Sequence, residues 1–143
     1  DTTVTVTHGK TPAAIYIDLG EPGDSPGDQR IFRFDGTSTD NDNVVMDWVM
    51  TTTGNADHTS ELESRITFAT FSFGDNAKDS LLIQGVSFYP ITGSTVKVDT
   101  TLERATIGGT GKYAGATGTV VTTHLPNDTW QHVFTLDLPT APR

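Results

Sequence analysis

Apolar residues in this chain recur at every second position over short runs. Clusters of Gly, Pro, Asn, Asp and Ser separate the runs. Residues 44–53 place Val44, Met46, Trp48 and Met50 on one face, and residues 13–19 do the same with Ile15, Ile17 and Leu19. The same alternation runs through 28–34, 62–73, 80–88, 99–107, 117–123 and 129–138. A period of two is the signature of a half-buried strand. No window carries an apolar stripe at helical spacing. Residues 2–7 alternate Thr and Val and read as an extra edge strand or an ordered arm. The pattern predicts about eight principal strands in one all-β domain, an antiparallel β-barrel whose closure removes exposed edges. The domain spans 1–143, with 1–12 as the N-terminal arm or edge strand and 139–143 as a C-terminal tail that frays.

The loops carry turn chemistry. Residues 21–27, 35–43, 54–60 and 74–79 are rich in turn formers, and 89–98 forms a longer crossing. The glycine-rich stretch Ile107-Gly108-Gly109-Thr110-Gly111-Lys112-Tyr113-Ala114-Gly115-Ala116-Thr117-Gly118 lies between alternating runs and reads as a tight corner. A phosphate-loop reading fails, because Tyr113 stands where Ser or Thr is needed and no helix follows.

That stretch and the hairpin after it resemble the C-terminal part of the allene oxide cyclase and dirigent-like barrel proteins. Phe71-x-Phe73-Gly74-Asp75 followed by Leu82-x-Gln84-Gly85 is a second similarity, and Gly27-Asp28 before Phe32 and Phe34 is a third. The resemblance implies an eight-stranded antiparallel barrel around a hydrophobic cavity, assembled as dimers or trimers. It implies a small apolar ligand, handled by an isomerising cyclase or by a dirigent protein that steers radical coupling. The plant cyclases carry Glu-x-Asn on the first strand, a following Ser-Pro, an Asn on the second strand and a Cys on the third. Here Asp18 is the nearest acid, Gly20 stands where the Asn would be, Ser25-Pro26 matches the Ser-Pro, and there is no Cys.

Composition narrows the chemistry. Low hydrophobic (34%) and charged (19%) content is made up by Thr, Ser and Gly, and Thr suits a pleated surface. A net charge of −9 disfavours nucleic acid and anionic membranes. No apolar run approaches the roughly 20 residues of a spanning helix. Without Cys there are no disulfides and no thiolate nucleophile. The Thr-rich, Lys-poor, Cys-free composition and a start at Asp1 suggest a secreted bacterial protein after signal-peptide removal.

The candidate residues follow from these patterns. Asp18, Asp47, Glu63, Arg33, Arg65 and Glu103 are charged positions inside strand-like runs. A charge facing a small lumen needs a partner or a task. The catalytic candidates are Asp18, Arg33, Asp47, Tyr89 and His132. Met46, Trp48, Met50, Phe68, Phe88, Trp130 and Phe134 are the candidate ligand-binding walls. No cofactor is implied. His124 and His132 flank the last hairpin turn, and Asp35, Asp40 and Asp42 cluster in one polar stretch. Neither set matches a known metal pattern, so no metal site is assigned. The function expected is a small-molecule isomerase or cyclase that holds an apolar substrate in a reactive shape. The alternative is a non-catalytic dirigent-like or ligand-binding protein.

Overall fold

The computed structural model describes residues 1–20, 25–40, 42–55, 62–90 and 96–139. Parts of the expected loops (21–24, 41 and 56–60), half of the crossing (91–95) and most of the tail (140–143) lie outside the described residues, as does residue 61.

Nine strands lie among the described residues: β1 (Thr2–His8), β2 (Ile15–Ile17), β3 (Gln29–Ser38), β4 (Asn43–Asn55), β5 (Leu62–Phe73), β6 (Asp79–Pro90), β7 (Thr101–Thr110), β8 (Thr117–Leu125) and β9 (Thr129–Asp137). All pairings are antiparallel, and β3 to β9 follow one another in chain order around the wall. β1 pairs with β9 along its whole length and with the far end of β3, which closes the ring. Eight staves form the barrel, and β2 is an appended strand on the other half of β3.

The two N-terminal strands therefore exchange the roles expected of them. β1, read as an edge strand or an ordered arm, is a stave of the ring, because Val4, Val6 and His8 alternate inward and are buried. Residues 15–17, read as a core strand, form the short outer strand, and Ile15, Tyr16 and Ile17 are exposed. Alternation cannot show which of two apolar runs closes a ring; that depends on which one β9 can pair with. Ring closure also needs a close approach. A Cβ on Gly36 would lie 2.7 Å from the Thr7 carbonyl and 3.2 Å from the His8 Cβ, so glycine lets β1 cross β3 there.

One end of the interior is packed shut. Val4, Val44, Met46, Phe71, Phe73, Leu81, Val120, Phe134 and Leu136 fill it, and the Tyr113 ring sits 5.0 Å from that of Phe73. Tyr113 belongs to the glycine-rich corner, whose only helical element is the single 3₁₀ turn Gly111–Tyr113. Within that corner Gly111 has φ of 59°, and Gly108 and Gly109 do not enter the left-handed region. The polar stretch at 35–43 is shorter than expected as a loop, since β3 runs to Ser38 and β4 resumes at Asn43.

Candidate functional site

The other end of the barrel holds a cleft with about 420 Å³ of empty space, its open mouth included. Its apolar walls come from Phe32 and Phe34 on β3, Trp48 and Met50 on β4, Leu102 on β7, Trp130 on β9 and Val96. Its polar lining is His8, Thr11, Tyr89, Arg104, Thr122 and His132.

Arg104 is the central charge. It is 3% exposed, and its stem lies where a Cβ on Gly85 would come within 2.8 Å of the Arg104 Cγ. Glycine on β6 thus makes room for arginine on β7. Arg104 Nη2 donates to the Tyr89 hydroxyl at 2.5 Å, and the guanidinium carbon stands 5.2 Å from the Trp48 ring. Among the described residues, Nε and Nη1 are buried with no hydrogen-bond partner, and so is Trp130 Nε1. Tyr89, accepting from Arg104, keeps its own proton for another acceptor.

A histidine chain runs along the same wall. His8 Nδ1 lies 2.8 Å from the Gly9 carbonyl, and its Nε2 lies 2.9 Å from His132 Nε2. His132 Nδ1 lies 2.8 Å from the Thr122 hydroxyl. Burial, then His8 and Arg104, push His132 well below the ordinary histidine range. Burial lowers His8 as well, against a raising effect of the Gly9 hydrogen bond. His124 does not face His132. It stacks on Trp130 at 4.0 Å and bridges the Val96 carbonyl and Asp128.

Of the candidate residues, Tyr89, His132, Trp48, Met50 and Trp130 come together at the cleft. Met46 and Phe134 are buried in the packed end instead. Asp18 is exposed. Arg33 and Asp47 are directly paired in register and bridge each other at 2.9 Å on the outer wall, with side chains 71% and 46% exposed. Parity forces this: with Met46, Trp48 and Met50 inward, Asp47 must point out. Phe68 and Phe88 are also on the outer surface, 48% and 54% exposed, because their neighbours Ala69 and Tyr89 take the inward positions.

Glu63 and Arg65 do point inward. Arg65 Nε donates to Glu63 Oε2 at 2.8 Å, Thr52 donates to the same oxygen at 2.5 Å, and Arg30 stands 3.7 Å from it. Arg104, His8 and Thr122 were missed as site residues. The signal for His8 was present, since it continues the Val4, Val6 alternation. Arg104 continues the face of Leu102 and Thr106, but nothing in the sequence says that Gly85 opens space for it.

No protein-family model matches the sequence, and no curated protein matches it. Solved structures do match. A pyocyanin demethylase superposes with a TM-score of 0.62 at 20% identity, over 95% of this chain and 98% of its own. A pterocarpan synthase dirigent protein superposes with a TM-score of 0.63 at 16% identity, over 97% of this chain and 87% of its own. With its closed ring of antiparallel staves and its lumen open at one end, the chain has the fold of the dirigent-like β-barrels.

Proposed function

We propose that this protein is an isomerase or cyclase that binds a small, flat, largely apolar molecule in the barrel cleft and holds its one polar group against Arg104 and Tyr89. The supporting observation is Arg104: a buried cation among aromatic rings, with Tyr89 as its hydrogen-bond partner and two further nitrogens unmatched among the described residues. An incompletely matched buried charge is costly to the fold alone. It becomes favourable when a ligand oxygen completes it. Donors fixed before reaction, in a site of low dielectric, stabilise negative charge that develops on such an oxygen, as when a carbonyl becomes an enolate. The aromatic walls supply shape and orientation. The structural neighbours include a demethylase of pyocyanin and a dirigent pterocarpan synthase, so the same architecture carries small-molecule chemistry elsewhere.

The second reading is a carrier that binds the same molecule without turning it over. The exposed Phe68, Val86 and Phe88 support self-association as a homodimer or homotrimer under either reading. Trp48 and Trp130 both line the cleft and report on its contents. Titration with 1-naphthoate should quench tryptophan emission more tightly than 1-methylnaphthalene does. Arg104→Met should remove that preference, weakening naphthoate at least about tenfold, the value of a charged hydrogen bond, with the melting temperature kept. Equal affinity for the two probes contradicts the role given to Arg104. Faster exchange of the α-protons of 2-tetralone for solvent deuterium, lost in Arg104→Met, supports the enzyme; binding without exchange supports the carrier.

A further inference from the structure

The proton positions along the histidine chain are fixed from its outer end. A carbonyl oxygen only accepts, so His8 must carry its proton on Nδ1, facing Gly9. In neutral His8 the Nε2 is then a lone pair. His132 must donate to it from its own Nε2, which leaves His132 Nδ1 as an acceptor. The Thr122 hydroxyl therefore gives its proton to Nδ1 and turns its lone pairs toward the cleft it lines. Three hydrogen bonds share one direction, from the cleft to the end of β1.

We propose that Thr122, His132 and His8 form a proton relay between the lumen and the barrel mouth, with the added charge held on His8. The inference rests on the cleft being the reactive site, and it supplies the base that Arg104 and Tyr89 do not. An acidic O–H or an activated C–H bound beside Thr122 gives its proton to the hydroxyl oxygen. Thr122 passes its former proton to His132 Nδ1, and His132 passes its Nε2 proton to His8 Nε2. Each new N–H or O–H bond replaces one that breaks. The result is a ligand anion beside Arg104 and an imidazolium at His8, with nothing oxidised or reduced. Running the chain backwards returns one proton to a different ligand atom, which is an isomerisation without a co-reactant.

The charge settles on His8 for reasons of position. His132 is fully enclosed and feels Arg104. His8 ends β1 beside the exposed Gly9, whose carbonyl holds Nδ1–H in either state. The groups against His8 are His132, Phe34, Trp130 and that carbonyl, and among these described neighbours there is no carboxylate. Burial therefore keeps the relay in its base form at neutral pH. Protonation reverses the order: His8 donates to His132 Nε2, His132 Nδ1–H donates to Thr122, and the hydroxyl proton swings into the cleft. One proton at the mouth changes Thr122 from acceptor to donor.

The test uses the full chain with ¹⁵N-labelled histidine, without ligand, followed by long-range imidazole NMR from about pH 8 to about pH 5, where histidine ordinarily titrates. The Nδ1–H form is expected for His8 and the Nε2–H form for His132 at the alkaline end. On acidification His8 alone becomes an imidazolium, and neutral His132 switches to Nδ1–H at the same midpoint. Thr122→Val takes the hydroxyl away from His132 Nδ1 in both states, so the coupled switch of the two rings should persist, while at the alkaline end the ¹⁵N resonance of His132 Nδ1 should move downfield, to that of a ring nitrogen that accepts no hydrogen bond. An imidazolium on His132, a His132 that keeps its Nε2 proton throughout, or a His132 Nδ1 resonance left unchanged by Thr122→Val overturns the relay. Because no ligand is involved, that failure is distinct from failure of the cleft to bind.

Discussion

Arg65 and Arg104 both reach Tyr89, but the fold treats them differently. Arg65 stacks over the phenol ring at 4.7 Å and is tied to Glu63 and to the Pro90 carbonyl. Arg104 meets the hydroxyl and shows no carboxylate among its described partners. The first has its charge answered from within the chain, together with Arg30 and Thr52. The second has its charge exposed to whatever enters the cleft. A buried ion pair with good geometry is a structural unit whose rupture strands the remaining charge. On the function proposed above, a buried cation held by a neutral phenol is a recognition group, and its removal should cost the fold little. Burial alone does not separate the two; the partner does.

The largest effect expected from this contrast is at Glu63. Glu63→Gln leaves Arg30 and Arg65 around a neutral amide and should destabilise the protein by about 3–5 kcal/mol, read as a lower urea midpoint. Its counterpart Arg104→Met should melt near the parent. If the two variants lose the same stability, the division between structural and recognising arginines fails.

A smaller effect is expected from acid. His8 and His132 both bind protons less readily when folded than when unfolded. Below about pH 6.5, the ordinary histidine value, the unfolded chain takes up protons that the folded chain refuses. Stability from this pair is complete above that pH and declines as pH falls toward the folded values. The melting temperature should therefore drop between about pH 7 and about pH 5, a window in which ordinary carboxylates stay ionised. A flat profile would contradict burial of two neutral rings. Asp28 adds a separate loss at lower pH. Burial alone would raise its pKa, but the Leu19 and Ser25 amides and the Tyr16 hydroxyl hold it below the carboxylate range.

The smallest effect is at the outer pair. Arg33→Ala should change stability by less than about 1 kcal/mol and leave naphthoate binding intact, since exposed bridges are screened by water. Loss of binding in that variant would mean that the outer wall communicates with the cleft.

Much of this was legible in the sequence. The alternation of β4 and β9 put Met46, Trp48 and Met50 on one shared face and Trp130, His132, Phe134 and Leu136 on another, because period two has only two phases and the bulky side chains occupy one of them; the structure turns both faces inward. Charged residues were harder. Asp47 and Glu63 look alike in sequence; parity with Met46, Trp48 and Met50 turns Asp47 to water, whereas no comparable run of bulky side chains beside Glu63 marks its face as the inward one, where Arg65 meets it. Arg104 was hidden for a different reason. Its room comes from an absent side chain, Gly85, on a strand about twenty residues earlier, and its weight as a candidate comes from partners it lacks among the described residues.

The seam between β1 and β9 has a consequence for the order in which the barrel is made. The first stave synthesised has for its main partner the last one, with Thr2 opposite Leu136 and His8 opposite Trp130. Until β9 has left the ribosome, β1 lacks the partner it pairs with along its whole length, and the growing sheet keeps two open edges that invite pairing with other chains. Contacts of such long sequence separation form late and slowly. Zipping this seam is therefore the step expected to limit folding, and it is the same step that brings His8 against His132 and completes the wall of the cleft.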